Sequence, residues 1–266
     1  MPRPRTHPAL LGSLPALLGS LSLAACGPSL PTPPPPTVVD PGQAWNVRLG
    51  QVVSPQGLVD YASLRADPKA LRDFVGWAAR HGPEADKWRL TDDNRRLAYS
   101  LNVLNALTLW AVVEGAERPT DRRPFATLRF AIDDEVVRAD RYLSDRVLAI
   151  FEEPLAVAAL GCAARACPPV PARLFTKADL DVDLAAQMGR WIASGRLVRA
   201  EGDTLVFSPA LRPWIEAFER HDGAATPCDI VAPYVPKASK AALGPLLEGA
   251  RCRYTWGAWD GALDGT

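Results

Sequence analysis

Two cysteines and two asparagines are the residues of this chain best suited to chemistry. Cys162 and Cys167 lie close together in Gly161-Cys162-Ala163-Ala164-Arg165-Ala166-Cys167-Pro168-Pro169. A thiol attacks an acyl group as the thiolate, so a nucleophilic cysteine needs a neighbouring base or cation. Asn102 and Asn105 are three residues apart and share one face of a helix. Buried amides must find partners. These two either pin loops to the helix or line a pocket and orient a ligand or a thiol. Asp60, Tyr61 and Asp260 are candidates for the same network. No imidazole lies nearby in sequence. The chain has only 3 histidines, and none falls between His81 and His221. Each of those two sits at a helix end, where a surface role is usual. Catalysis then depends on the fold bringing one of them to a thiol.

Pairing is the competing fate of the sulfurs. Besides Cys26 the chain holds Cys162, Cys167, Cys228 and Cys252. An even number in an oxidising compartment favours disulfides, and four cysteines allow three connectivities. The expected one is Cys162–Cys167 with Cys228–Cys252, each local in sequence, and it would consume the nucleophile. No CxxC pair or adjacent histidine completes a four-ligand site, so neither a metal nor a cofactor is expected. No Ser-His-Asp order or phosphate loop appears. Lys+Arg and Asp+Glu are equal at 30 each. Phosphate binding needs a surplus of basic residues, so the balance argues against a nucleic-acid partner.

The elements that must position these residues are legible. Asp67-Pro68 opens a helix reaching about His81, with Leu71, Phe74, Val75 and Ala78 on one face. Asp92 or Asp93 caps a helix over about 94–115 that is apolar nearly all round, and therefore central and buried. Residues 126–138 form a hairpin in which Leu128, Phe130 and Ile132 alternate before Asp133-Asp134 turns. A helix near 143–151 follows, and Ala156 to Leu160 is a buried strand or helix segment. Asp179 to Ser194 is an amphipathic helix stopped by Gly195. A second hairpin turns at Glu201-Gly202-Asp203, and Ser208-Pro209 starts a helix. Two shorter helices fill 226–249, and an aromatic segment ends the chain. Trp77, Trp110, Trp191 and Trp214 fall on helix faces as core residues. The fold class is α+β, a mainly helical single domain around a buried central helix with short β-hairpins.

The first residues describe export. Arg3 and Arg5 precede an apolar stretch from Ala9 to Leu23, and Leu23-Ala24-Ala25-Cys26 ends it. A basic start, a short apolar run and small residues before a cut make a secretory signal. The four closing residues match the lipobox of bacterial lipoproteins. Residues 1–25 are expected to be removed, and Cys26 to carry the lipid that anchors the chain to the membrane. Gly27 in place of an aspartate favours the outer membrane, if the cell has one. Residues 26–43, with prolines 33–36, are a tether of extended polyproline character. The domain is expected over 44–266.

The order of motifs resembles the bacterial and plant domain-of-unknown-function 547 family. Val59-Asp60-Tyr61 is similar to its opening segment, and Leu97 to Thr108 to its WINAYNALT helix with both asparagines kept. Gly161 to Pro169 is similar to its paired-cysteine segment. Ser208, Trp214 and Phe218 resemble a later helix, and Trp259 to Asp264 its closing YDWSLN. The resemblance spans nearly all of residues 50–264. It implies papain-like or transglutaminase-like thiol chemistry, because family members carry histidines near the cysteine pair. In this chain the family's Glu-His pair falls at Val147-Leu148, and its second histidine at Val157.

The expectation is therefore an exported, lipid-anchored envelope protein that is non-catalytic and acts by binding or as a structural component. Its partners would be an envelope protein or a small-molecule ligand, and its oligomeric state stays open. The alternative is a cysteine-dependent hydrolase or acyltransferase. A third reading is a solute-binding module, which requires a deep concave site lined by the Asn102 helix.

Overall fold

The structure is a computed structural model that describes residues 29–115, 128–248 and 252–266. The leader and Cys26 lie outside the described residues. The fold is α+β and mainly helical.

The central element is α4, Asp93–Val113. Asp92 caps it, accepting from the Arg95 amide at 3.0 Å. Its residues from Leu97 to Val112 are all buried. A helix apolar all round can only sit in a core. By length and composition α4 could cross a membrane, but most of its apolar stretch is packed inside the domain. Three helices surround it: α1, Pro41–Val52, α2, Tyr61–Ala66, and α3, Lys69–Ala78. The latter buries the expected face, Leu71, Phe74, Val75 and Ala78.

The first hairpin pairs β1, Arg129–Ile132, with β2, Glu135–Arg138. Asp133 and Asp134 turn it, both with positive φ. Aspartate tolerates that region better than most side chains, because its short polar group bonds locally. Helical backbone follows over residues 139–151, including a π-helical stretch Tyr142–Leu148. The run after Glu153 resolves as a short helix, Ala156–Ala159.

The helix Leu180–Ala193 joins the two halves of the interior. Leu180 and Leu184 belong to the core around α4. Met188 and Trp191, one and two turns on, belong to a second apolar cluster. That cluster lies under a three-stranded sheet. Strands β3, Val198–Glu201, and β4, Thr204–Phe207, form the expected antiparallel hairpin. The aromatic terminal segment adds β5, Tyr254–Trp256, parallel to β4. Shorter helices Pro227–Val231 and Lys240–Leu247 close this half.

Two local readings change. Ser208-Pro209 does not start the helix directly. Its hydroxyl instead donates to the Ala166 carbonyl at 2.8 Å, and the α-helix begins at Ile215 after a 3-10 turn, Arg212–Trp214. The Ser208 hydroxyl oxygen also accepts from the Ala210 amide at 3.2 Å, so Ser208 caps a turn that precedes the helix. The proline segment, in turn, lacks regular structure over residues 30–36 yet lies on the domain. The Leu30 amide donates to the Arg129 carbonyl at 2.8 Å. Trp110 Nε1 donates to the Pro31 carbonyl at 3.3 Å and Arg80 Nη1 to the Pro33 carbonyl at 3.2 Å. Folded structure thus begins well before residue 44, and α1 opens at Pro41.

Candidate functional site

The asparagines of α4 each grip a loop. Asn102 Nδ2 donates to the Phe175 carbonyl at 2.9 Å, and its Oδ1 accepts from the Phe175 amide at 2.9 Å. Asn105 Nδ2 donates to the Ala159 carbonyl at 2.7 Å, and its Oδ1 accepts from the Gly161 amide at 2.9 Å. Both side chains are buried. An amide whose donor and acceptor take a C=O and an N–H from the same stretch of backbone replaces the pairing a strand would give, so two loops can leave regular structure inside the core.

Asn105 thereby sets the start of the cysteine loop. Cys162 and Cys167 form a disulfide with Cα atoms 5.7 Å apart, and Cys228 and Cys252 form another at 6.5 Å. This is the expected pairing. Cys162 and Cys167 are buried against Ala164, with Ala210 and Trp259 packed beside them. Ala163 between them has φ of 58°, which costs a non-glycine residue energy and persists where surroundings impose it. Those surroundings are the C-terminal tail. The Arg165 amide donates to the Ala262 carbonyl at 2.9 Å, the Ala166 amide to the Asp260 carbonyl at 3.0 Å, and the Asp264 amide to the Ala163 carbonyl at 3.3 Å.

The histidines are placed elsewhere. His81 stacks on Trp77 with ring centroids 5.7 Å apart, and its Nδ1 lies 3.3 Å from Asp86 Oδ2. His221 Nδ1 is 2.6 Å from Asp222 Oδ1. That hydrogen bond raises its pKa above the ordinary histidine value. It lines a separate cleft of about 680 Å³ with Glu152 and Glu153. Among the described residues no hydrogen bond links either imidazole to the cysteine loop. Leu148 and Val157, at the resemblance's histidine positions, hold no proton acceptor: Val157 is buried, and Leu148 is half-buried and lines the His221 cleft.

Asp60, Tyr61 and Asp260 do not join the asparagines. Asp60 caps α2, accepting from the Ser63 amide at 2.8 Å. Tyr61 bonds Asp264, and Asp260 accepts locally from the Ala262 amide at 3.1 Å.

A groove of about 910 Å³ opens beside α3 and α4. The N-terminal half of α4 lines it through Ala98, Tyr99 and Asn102; Phe175 and Lys177 border it, and Pro36 to Gly42 form another wall. Trp77 is not simply core: it borders the groove, with Tyr99 set edge-on at 5.8 Å and the Arg89 guanidinium 5.4 Å from its ring. Arg89 also lies 5.7 Å from the Trp88 ring, and Trp88 is 75% exposed. Sequence reading missed this cluster. The signal was there in Lys87-Trp88-Arg89, a tryptophan in a charged stretch outside any apolar face. Such an indole has no core to enter.

Polar groups around the groove are largely paired with one another. Lys177 Nζ is 2.9 Å from Asp92, whose carboxyl that bond holds below its ordinary range. Arg95 Nε is 3.4 Å from the same aspartate. Arg89 is 3.8 Å from Asp86. The groove therefore presents balanced charge around aromatic surface.

Comparison with known proteins finds no family model that matches this sequence, and no match among curated proteins or solved structures.

Proposed function

We propose that this chain is an exported, lipid-anchored envelope domain, a divergent relative of the domain-of-unknown-function 547 family, that binds rather than catalyses. One observation carries the reading. Both candidate nucleophiles are tied to each other in a buried disulfide, and a sulfur in a disulfide has no thiolate to offer. The asparagines considered for orienting a thiol spend both ends of their amides on loop backbone.

Two disulfides fit a chain that folds in an oxidising, exported compartment. Lipidation of Cys26 and placement on the periplasmic side of an outer membrane rest on the lipobox and on Gly27. The binding face is the groove beside α3, a concave site lined by the Asn102 helix, as a solute-binding module requires.

Labelling the exported protein with a thiol-reactive probe tests the reading. The expected result is no labelling of the native protein, and labelling of Cys162, Cys167, Cys228 and Cys252 after denaturation and reduction. A native Cys162 or Cys167 that reacts faster than a free thiol would reinstate the hydrolase or acyltransferase. Intact mass of the membrane-extracted protein tests the anchor, through acyl mass on Cys26.

A further inference from the structure

We propose that residues 30–36 are a built-in strap that holds the domain close against the lipid bilayer, where a free proline tether would hold it away. The inference rests on the lipid anchor at Cys26 and adds a distance and a face to it.

The strap is fixed at successive points to three elements. Leu30 is hydrogen-bonded to Arg129 of β1, and Ser29 bridges the same residue in parallel. Pro31 accepts from Trp110 of α4, and Pro33 from Arg80 just beyond α3. Leu30 is itself buried among core residues. Pro34 passes so close to α3 that a Cβ on Gly76 would collide with its carbonyl oxygen. A helix interior normally disfavours glycine; here its missing side chain is the room the strap occupies. The next stretch, Pro36 to Asp40, is the groove wall, and Thr37 Oγ1 accepts from Lys69 Nζ at 2.7 Å.

Chain length then sets the height. Residues 27–42 as a free polyproline II spacer would reach roughly 50 Å. With the strap docked, only the links from Cys26 to Leu30 remain, which span at most about 14 Å. The headgroup layer alone takes roughly 7 Å of that span. The face bearing Leu30, β1 and β2 must therefore lie next to the membrane. The groove, whose wall continues the strap, is held at a set height above it.

The test uses the full acylated chain in liposomes that carry an energy-acceptor lipid. A donor dye is placed on Val136→Cys, an exposed position of β2, under non-reducing conditions. Two variants move the domain. Gly76→Leu ejects the strap. An insertion of about twelve Gly and Ser residues between Pro28 and Ser29 adds roughly 20 Å of reach without touching a strap contact. The expected result is strong transfer in the parent and a drop of about twofold or more in each variant. If the strap were undocked, the parent would already stand off and the insertion would change little, which overturns the proposal. The insertion keeps the test decisive even if Gly76→Leu fails to fold. Absence of acyl mass on Cys26 sinks the anchor and this inference together, whereas an acylated parent with weak, insertion-insensitive transfer sinks the strap alone.

Discussion

Tyr61 donates its phenol to Asp264 Oδ1 at 2.8 Å, joining side chains 203 residues apart. Both are buried, at 2% and 0% exposure. Around them the Val59 amide donates to the Asp264 carbonyl at 3.0 Å and the Thr266 amide to the Val59 carbonyl at 3.1 Å. The C-terminal tail thus fastens the chain near Val59 to the cysteine loop.

This bond carries a pH dependence. Burial pushes the Asp264 carboxyl above its ordinary value, outweighing the lowering by the Tyr61 phenol and by Arg196. A folded pKa above the unfolded one gives a contribution present in full below the unfolded pKa and lost as pH rises through the folded pKa. Asp264→Asn keeps an acceptor for Tyr61 and removes the titration. Its melting temperature should gain on the parent progressively as the pH is raised above the ordinary carboxylate range. A gap that stays constant as the pH rises would refute the assignment.

Asn105→Ala should destabilise the fold by about 2–4 kcal/mol, because it strands the buried Gly161 amide and Ala159 carbonyl. Urea unfolding measures it. A change within about 0.5 kcal/mol would place the amide outside the fold's support and return it to the list of ligand-binding groups.

The bridge between Cys228 and Cys252 closes a loop with a sequence separation of 24. Replacing both cysteines with alanine should cost about 3 kcal/mol in oxidising buffer. In reducing buffer the difference should largely vanish, since the parent then lacks the same cross-link. Chemical denaturation with and without reductant reads both values.

Tryptophans at the two extremes of exposure should respond oppositely. Trp191 is fully buried, so Trp191→Ala should cost about 3–5 kcal/mol. Trp88→Ala should change stability by no more than about 0.5 kcal/mol. It should also remove the fluorescence component most accessible to acrylamide. A stable Trp88→Ala that loses a ligand found by screening would place that ligand in the groove, and one that keeps it would move the binding face elsewhere.

Much of the secondary structure was written locally. The apolar face of α3 and the all-round apolarity of α4 recur at helical spacing, so side-chain burial alone defines them. Asp133-Asp134 and Glu201-Gly202-Asp203 mark turns by their own backbone preferences. The disulfide pairing was accessible too, because short loops bring cysteines together at the least entropic cost. The departures were non-local. Ser208 ties its turn to Ala166 ahead of the helix, and the aromatic terminal segment became a parallel strand on β4, a pairing that no feature near Tyr254 announces.

The sequence by itself determined the helices, the hairpins, the mainly helical class and the shortage of imidazole near any thiol, because each follows from residue type and short-range periodicity. Only the tertiary structure decided where His81 and His221 stand, that both asparagines are spent on loops, that Trp88 and Arg89 border a groove, and that the proline segment is docked. Those outcomes depend on contacts between residues far apart in the chain. Such contacts are selected by how whole faces pack and by which buried polar groups find partners, and neither quantity exists until the chain is folded.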